Sequence, residues 1–358
     1  MKKTLFYITV ILTVILIIFR ADDVIFYARE AMKMCYELII PTLFPFFVCS
    51  SLLIYSGFGS VLARICHKIM RPLFNVAPTG AAAFILGIIS GFPLGAVTSV
   101  QLYKCGALSK TEAERLLAFC NNSGPLFIIG SVGTAIYGKL SYGVMLYILH
   151  ILASLTVGII FRFYHRDKHN SPPMKLKTND MPLTEVFSTA LSNAANSIIT
   201  VCFSIIFFSA LSRALLEFFP LSPLLDALTS GICEFSTGVM KTSLLDYSLY
   251  EKFVITSFIV GFSGISVHFQ VMAVTARSGL SLKPYIIGKI LHGFIASLYT
   301  AAAMYVLPVS AQVFSSDAPL LSASFAVSTV IIFSAAAFAA AAALTASAFN
   351  LEKHKKKR

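Results

Sequence analysis

The chain has 358 residues, 57% of them hydrophobic and only 12% charged, with mean hydropathy +0.82 and no tryptophan, against roughly 25% charged residues in an ordinary soluble domain. Such a composition excludes a soluble enzyme core and indicates an all-α polytopic membrane protein; at about 20 residues per span, about eight transmembrane helices fit. The formal net charge of +12 does not indicate nucleic acid, because the basic residues gather at the ends of apolar segments, the positive-inside pattern that orients a membrane protein.

In chain order, residues 4–19 form an apolar segment after Met1-Lys2-Lys3. Only Phe19-Arg20-Ala21-Asp22-Asp23 follows it, with no small-residue cleavage site, so a retained first helix with a cytoplasmic N-terminus is expected. An amphipathic stretch at 24–37 leads into a second span at 38–57. The basic segment Arg64 to Arg71 is expected to be cytoplasmic. A third span is expected at 80–103, interrupted by Ser90-Gly91-Phe92-Pro93-Leu94-Gly95. Ser109, three residues before Glu112, makes a capping box for a helix that ends at Asn121-Asn122-Ser123-Gly124-Pro125. Residues 126–137 are too few to span and are expected to re-enter. That leaves an even number of crossings, with the span at 142–163, between two basic segments that both stay cytoplasmic.

In the second half, a semi-polar helix at 183–197 runs into a span at 198–215. Pro220 and Pro223 open a segment through Asp246 that reads as a second re-entrant hairpin. Spans are expected at 253–275, 285–307 and 321–348, the last alanine-rich and suited to close helix packing. The closing Lys355-Lys356-Lys357-Arg358 run is a cytoplasmic tail facing anionic lipid. Ser90-Gly91 and Ser263-Gly264 are followed at equal spacing by Gly106-Ala107-Leu108-Ser109 and Gly279-Leu280-Ser281, an offset near half the chain. With opposite predicted directions for the two broken spans, this indicates inverted repeats. The expected domains are an N-terminal helix (1–27), a first repeat (28–165), a basic cytoplasmic loop (166–182), a second repeat (183–310) and a C-terminal helix with a basic tail (311–358).

Broken backbone at membrane depth is tolerated only where protein or a water-filled cavity satisfies the freed N–H and C=O groups, and transporters use such breaks to hold substrate. The candidate substrate residues in the first half are Ser90, Gly91, Pro93 and Gly95, which free backbone groups. Asn121, Asn122 and Ser123 add amides and a hydroxyl beside a helix N-terminus. In the second half they are Ser263, Gly264, Ser266, His268 and Gln270. A polar, flat or carboxylated solute suits this set; singly, Asn and Ser serve equally well in helix–helix hydrogen bonds. His268 has no partner at ligand spacing, and His150 and His292 sit alone in apolar helices, so all three read as packing or contact residues, not metal ligands. Lys289 is expected to snorkel to the cytoplasmic surface. The seven cysteines show no paired spacing and read as small buried hydrophobes. Gly133 to Lys139 imitates a phosphate loop, but Leu140 replaces the Ser/Thr that would hold magnesium. No catalytic motif, cofactor or metal site is expected.

The runs Ser90-Gly-Phe-Pro-Leu-Gly95, Thr111-Glu-Ala-Glu-Arg-Leu-Leu-Ala-Phe-Cys-Asn-Asn-Ser-Gly-Pro-Leu-Phe-Ile128 and Ser263-Gly-Ile-Ser-Val267 resemble the YlbJ family of sporulation membrane proteins, within the nucleoside-recognition or Gate-domain group. The resemblance extends over roughly residues 28 to 310. It implies two inverted Gate-like repeats in a transporter of endospore-forming bacteria, located in the cell membrane and outer forespore membrane and needed for the spore cortex and maturation. The implied partner is a small anionic substrate, dipicolinic acid, a planar dianion that half-helix N-termini with amide and hydroxyl donors are able to hold. A nucleoside or other small-metabolite carrier, and a non-transporting spore-envelope protein, are the alternatives. Two departures stand out: a short C-terminal region, and Gly124 where the family pattern has a larger polar residue.

Overall fold

The computed structural model describes residues 2–55, 67–165, 182–216, 221–276 and 278–306, and every regular element among them is helical. The expected span at 321–348, the basic tail and nearly all of the basic loop lie outside the described residues. Among those described, four helices are long and apolar enough to cross a membrane: Leu140–Phe161, Thr184–Leu216, Leu249–Thr275 and Lys283–Val306. Their outer faces expose Phe203, Phe207, Phe294 and Leu298, a surface suited to lipid contact. The chain is thus an all-helical polytopic membrane protein.

At the N-terminus, α1 (Lys2–Phe19) is followed by α2 (Ala21–Met34), which passes through a π-helical turn at Cys35–Ile39 into α3 (Ile40–Tyr55). These flank the 34-residue α10 (Leu183–Leu216), with Ala31, Cys35, Ile39 and Phe47 packed against Ala194, Ile198, Cys202 and Ile205. Cys49 and Cys105 are exposed, so not every cysteine is the buried hydrophobe that the sequence suggests.

The segment at 80–103 is not one continuous helix. After α4 (His67–Phe74) the chain bends by 94° into α5 (Ala81–Ser90), and α6 (Leu94–Lys104) folds back against α5. The Thr79 hydroxyl donates to Ala107 O at 3.1 Å, so the chain enters and leaves at the same place. Gly91 at φ +81° and Pro93, which has no N–H, stop the helix at the tip. Small residues let the arms touch, with Gly87 against Gly95.

The stretch 126–137 is the second half of an interrupted helix. α7 (Lys110–Cys120) stops at Asn121 and resumes, largely π-helical, as α8 (Leu126–Ile136). Both halves run in reverse along α9 (Leu140–Phe161). Arg115 donates to Tyr164 O and His165 O, the Ser154 hydroxyl to Phe119 O at 2.7 Å, and the Ser123 N–H to His150 Nε2 at 3.2 Å; Gly143 lies against Ile129. The chain keeps its direction because one carbonyl at the end of α7, Phe119 O, takes side-chain donors from both Asn122 and Ser154, while Pro125 restarts the helix.

α7 opens with the expected capping box: Ser109 Oγ accepts from Glu112 N at 3.2 Å and Glu112 Oε2 from Ser109 N at 2.9 Å. Ser109→Ala is expected to cost about 1 kcal/mol, read as a lower thermal midpoint of the detergent-solubilised protein.

The second half repeats this order. α11 (Pro223–Cys233) and α12 (Phe235–Ser243) fold as the expected second hairpin, tied where Asp226 accepts from Arg213 of α10 at 3.0 Å and Lys241 of α12 at 2.5 Å. α13 (Leu249–Phe262) breaks at Ser263, φ +77°, and continues as α14 (Gly264–Thr275). Both run back along α15 (Lys283–Val306), through Ser257–Thr300 at 2.7 Å, Gly261 against Gly293, and His268 Nδ1–Tyr285 OH at 3.0 Å. Each half is therefore a hairpin, an interrupted helix and a long helix. Corresponding positions are Phe92 and Phe235 at the tips, Gly95 and Gly238 in the returning arms, Ser123-Gly124 and Ser263-Gly264 at the breaks, and His150 and His292, which are 142 residues apart. This register replaces the half-chain offset, which matched a hairpin tip to an interrupted helix. Along α9 the first hairpin's base lies at the C-terminal end, through Arg115. The start of α13, next to the second base, lies at the N-terminal end, where Tyr137 OH meets Thr256 Oγ1 at 2.7 Å and the Tyr142 and Phe253 rings are 5.1 Å apart.

Candidate substrate site

Each hairpin tip rests on the break of its own half. A side chain on Gly91 would lie 2.8 Å from Gly124 N, and one on Gly264 3.0 Å from Phe235 N. This contact explains Gly124: a larger residue there would press on Ser90 and Gly91 backbone at 3.3 Å. Between the halves lies a partly open cavity, about 500 Å³ with the open solvent inside its bounds included. Ser90, Gly91 and Phe92 come from the first tip, Ser123, Gly124 and Phe127 from the first break, and Phe235 and Ser236 from the second tip. Val267 and Gln270 of α14 and Val201 and Ile205 of α10 close it. Phe235 meets Phe92 edge-on at 5.6 Å and Phe127 at 4.8 Å. The wall is mostly apolar with a few hydroxyls and one amide, the usual make-up of a small-molecule pocket.

Of the candidate residues, Ser90, Gly91, Ser123 and Gln270 line this cavity. Pro93 precedes α6 beside the tip, and Gly95 packs against Cys120 O, where its role is close approach. Asn122 donates from Nδ2 to Phe119 O at 2.9 Å and leaves Oδ1 unpaired. Asn121 is buried beside the Tyr285 hydroxyl, outside good hydrogen-bond geometry, with neither amide atom otherwise satisfied. Ser263 turns its hydroxyl onto Val260 O at 3.2 Å, so it serves the break itself, as does Gly264. Ser266 Oγ, His268 Nε2 and Gln270 Oε1 are buried with no partner. Buried polar atoms in native proteins are seldom left so, and here they cluster around the breaks.

Three residues set aside in the sequence belong to this cluster. Lys289 does not snorkel: it is 1% exposed, and its Nζ lies 3.2 Å from Asn121 O, 3.3 Å from His292 Nδ1 and 5.3 Å from the centre of the Phe92 ring. His150 and His292 are not alone, since their rings lie 4.3 Å apart and His292 Nε2 donates to His150 O at 2.9 Å. His150 also borders a smaller cavity of about 250 Å³ with Thr256, Ser257 and Ala296. The spacing Lys289-x-x-His292 places both on one helix face, the one signal the sequence carried; the partnership with His150 needs the fold. Glu234 is fully buried at the second tip, where its carboxylate accepts from Ser236 N at 3.1 Å, Ser236 Oγ at 2.6 Å and Thr237 N at 2.7 Å.

Over 307 residues the chain is 32% identical to the sporulation integral membrane protein YlbJ of Bacillus subtilis (strain 168), covering 76% of this chain and 75% of that protein. No family model matches the chain, and no solved structure matches it.

Proposed function

The chain belongs to the family of the sporulation integral membrane protein YlbJ, and from that premise we propose that it is a transporter that moves dipicolinic acid across the outer forespore membrane, in support of spore cortex formation and maturation. The observation that carries this reading is the cavity shared by two hairpin tips, one helix break and α14. Its Phe92, Phe127 and Phe235 rings offer faces and edges to a planar heteroaromatic ring. Ser90, Ser123 and Ser236 bring hydroxyls, and α8 begins just after Gly124-Pro125, where its first N–H groups suit an anion. We read the two halves as inverted Gate-like repeats, supported by their common element order and by hairpin bases at opposite ends of α9. Rocking of one half against the other would expose the cavity to each side in turn.

Uptake of labelled dipicolinate into proteoliposomes tests this. Saturable uptake by the wild-type chain, reduced at least about tenfold by Ser123→Ala and Gln270→Ala, which line the cavity, and unaffected by excess purine nucleoside, is the expected result. No uptake by correctly inserted protein, with or without a proton or sodium gradient, would overturn it. Gln270, which lines the cavity and has an unpartnered amide oxygen, is the feature that suits a nucleobase edge. Competition by nucleosides would move the assignment to that class.

A further inference from the structure

Around Lys289 the hydrogen-bond donors outnumber the acceptors. His292 Nε2 faces the carbonyl oxygen of His150 and must carry the proton, so its Nδ1 is an acceptor for Lys289. His150 Nε2 accepts the Ser123 N–H, so its own proton sits on Nδ1, which is buried and has no acceptor. An ammonium has three donors. Lys289 directs them at Asn121 O and His292 Nδ1, with no carboxylate of the described residues in ion-pair or hydrogen-bond contact. The His150 Nδ1 proton and one N–H of Lys289 therefore find no hydrogen-bond acceptor, and beyond Asn121 O and His292 the lysine head group meets only the face of the Phe92 ring. Burying an uncompensated ammonium is expensive, and within membrane segments ionised groups pair with something.

We propose that Lys289, together with His150, is the recognition site for a carboxylate group of the transported substrate. The inference rests on the transporter reading above and adds to it the residues that hold the charge. Placement supports it. Phe92 forms part of the cavity wall and also covers the ammonium with its ring, and Ser123 joins the same cavity to His150. A planar acid in the cavity thus reaches Lys289 by displacing one aromatic ring, its second oxygen taking the His150 Nδ1 proton donor. Asn121 O and His292 Nδ1 hold the ammonium in position. Lys289 also sits at the C-terminal end of α7, where a cation is favourable. That accounts for the bond to Asn121 O, but not for the unpaired donor of His150.

Titration calorimetry on the purified full-length protein in detergent decides the matter, with pyridine-2,6-dicarboxylate, pyridine-2-carboxylate and the uncharged pyridine-2,6-dicarboxamide as probes. Lys289→Gln is expected to weaken both acids at least about tenfold while the diamide binds as before, and Lys289→Arg to keep most of the affinity for the acids. Unchanged acid affinity in Lys289→Gln, or no acid binding to the wild type, would overturn the proposal and leave Lys289 as a tie for α7. Should Lys289→Gln fail to fold, His150→Phe removes the spare donor and leaves the ammonium; unchanged acid affinity there is equally fatal. The two readings separate cleanly. Lys289-dependent binding of acids without dipicolinate uptake supports the recognition site and sinks dipicolinate transport. Uptake that survives Lys289→Gln does the reverse.

Discussion

Gly87→Ala is expected to destabilise the protein by about 3 kcal/mol or more, at or beyond the upper end of typical overpacking costs. The added methyl would lie 1.8 Å from Cys120 O and 3.1 Å from Gly95 Cα. Backbone on both sides leaves no flexible side chain to yield. Gly95 faces the same carbonyl oxygen at 2.0 Å, so the first hairpin is pressed onto the end of α7 through two glycines, at the residue before the break. Pushing the hairpin away moves Ser90 and Phe92 out of the cavity wall and releases the cover on Lys289. The measurement is a thermal melt in detergent alongside dipicolinate binding, and both should fail together. Gly130→Ala is the control: nothing lies within 4 Å of its added methyl, and alanine within a helical segment is neutral or slightly stabilising. A Gly87→Ala protein that melts with the wild type would contradict the close approach of hairpin and break.

The breaks were legible in the sequence because their chemistry is local. Gly91 and Pro93 cannot continue a helix, and Ser263-Gly264 supplies two successive positive-φ residues. The capping boxes at Ser109 and Ser248 were legible for the same reason, though only the first was recognised. The direction the chain takes beyond a break is set by distant contacts. Residues 80–103 and 126–136 are both apolar enough to read either way, and they are separated by Thr79 reaching Ala107, and by Arg115 and Ser123 reaching Tyr164 and His150. The recurring element order is hard to read from sequence because the corresponding tips share little beyond Phe92 and Phe235 with their trailing glycines, whereas Ser90-Gly91 and Ser263-Gly264 look alike and do different jobs. Lys289 was misplaced because sequence pattern places a lone lysine by its distance from the helix end. Its partners, Asn121 O and the His150–His292 pair, lie far away in the chain.

Glu234→Ala is expected to cost on the order of 3 kcal/mol, because it strips acceptors from two backbone N–H groups and one hydroxyl in a site with no water-exposed surface, at about 1–3 kcal/mol for each donor left unpaired and with partial relaxation. Those donors belong to Ser236 and Thr237, the first turn of α12. The residue is therefore the cap that aims Phe235 and Ser236 into the cavity. Glu234→Gln keeps one carbonyl oxygen of the same shape and should lose less stability than the alanine variant. The pair of variants also tests whether a buried carboxylate so near an anion site opposes the substrate. Its charge faces the N–H end of α12, whose dipole it complements, and so it is largely compensated before any ligand arrives. Dipicolinate affinity should accordingly fall in Glu234→Ala, with the loss of the tip, and should not rise in Glu234→Gln. An increase of tenfold or more in the glutamine variant would show that the carboxylate repels the substrate, and that the second tip serves to set affinity as well as to build the wall.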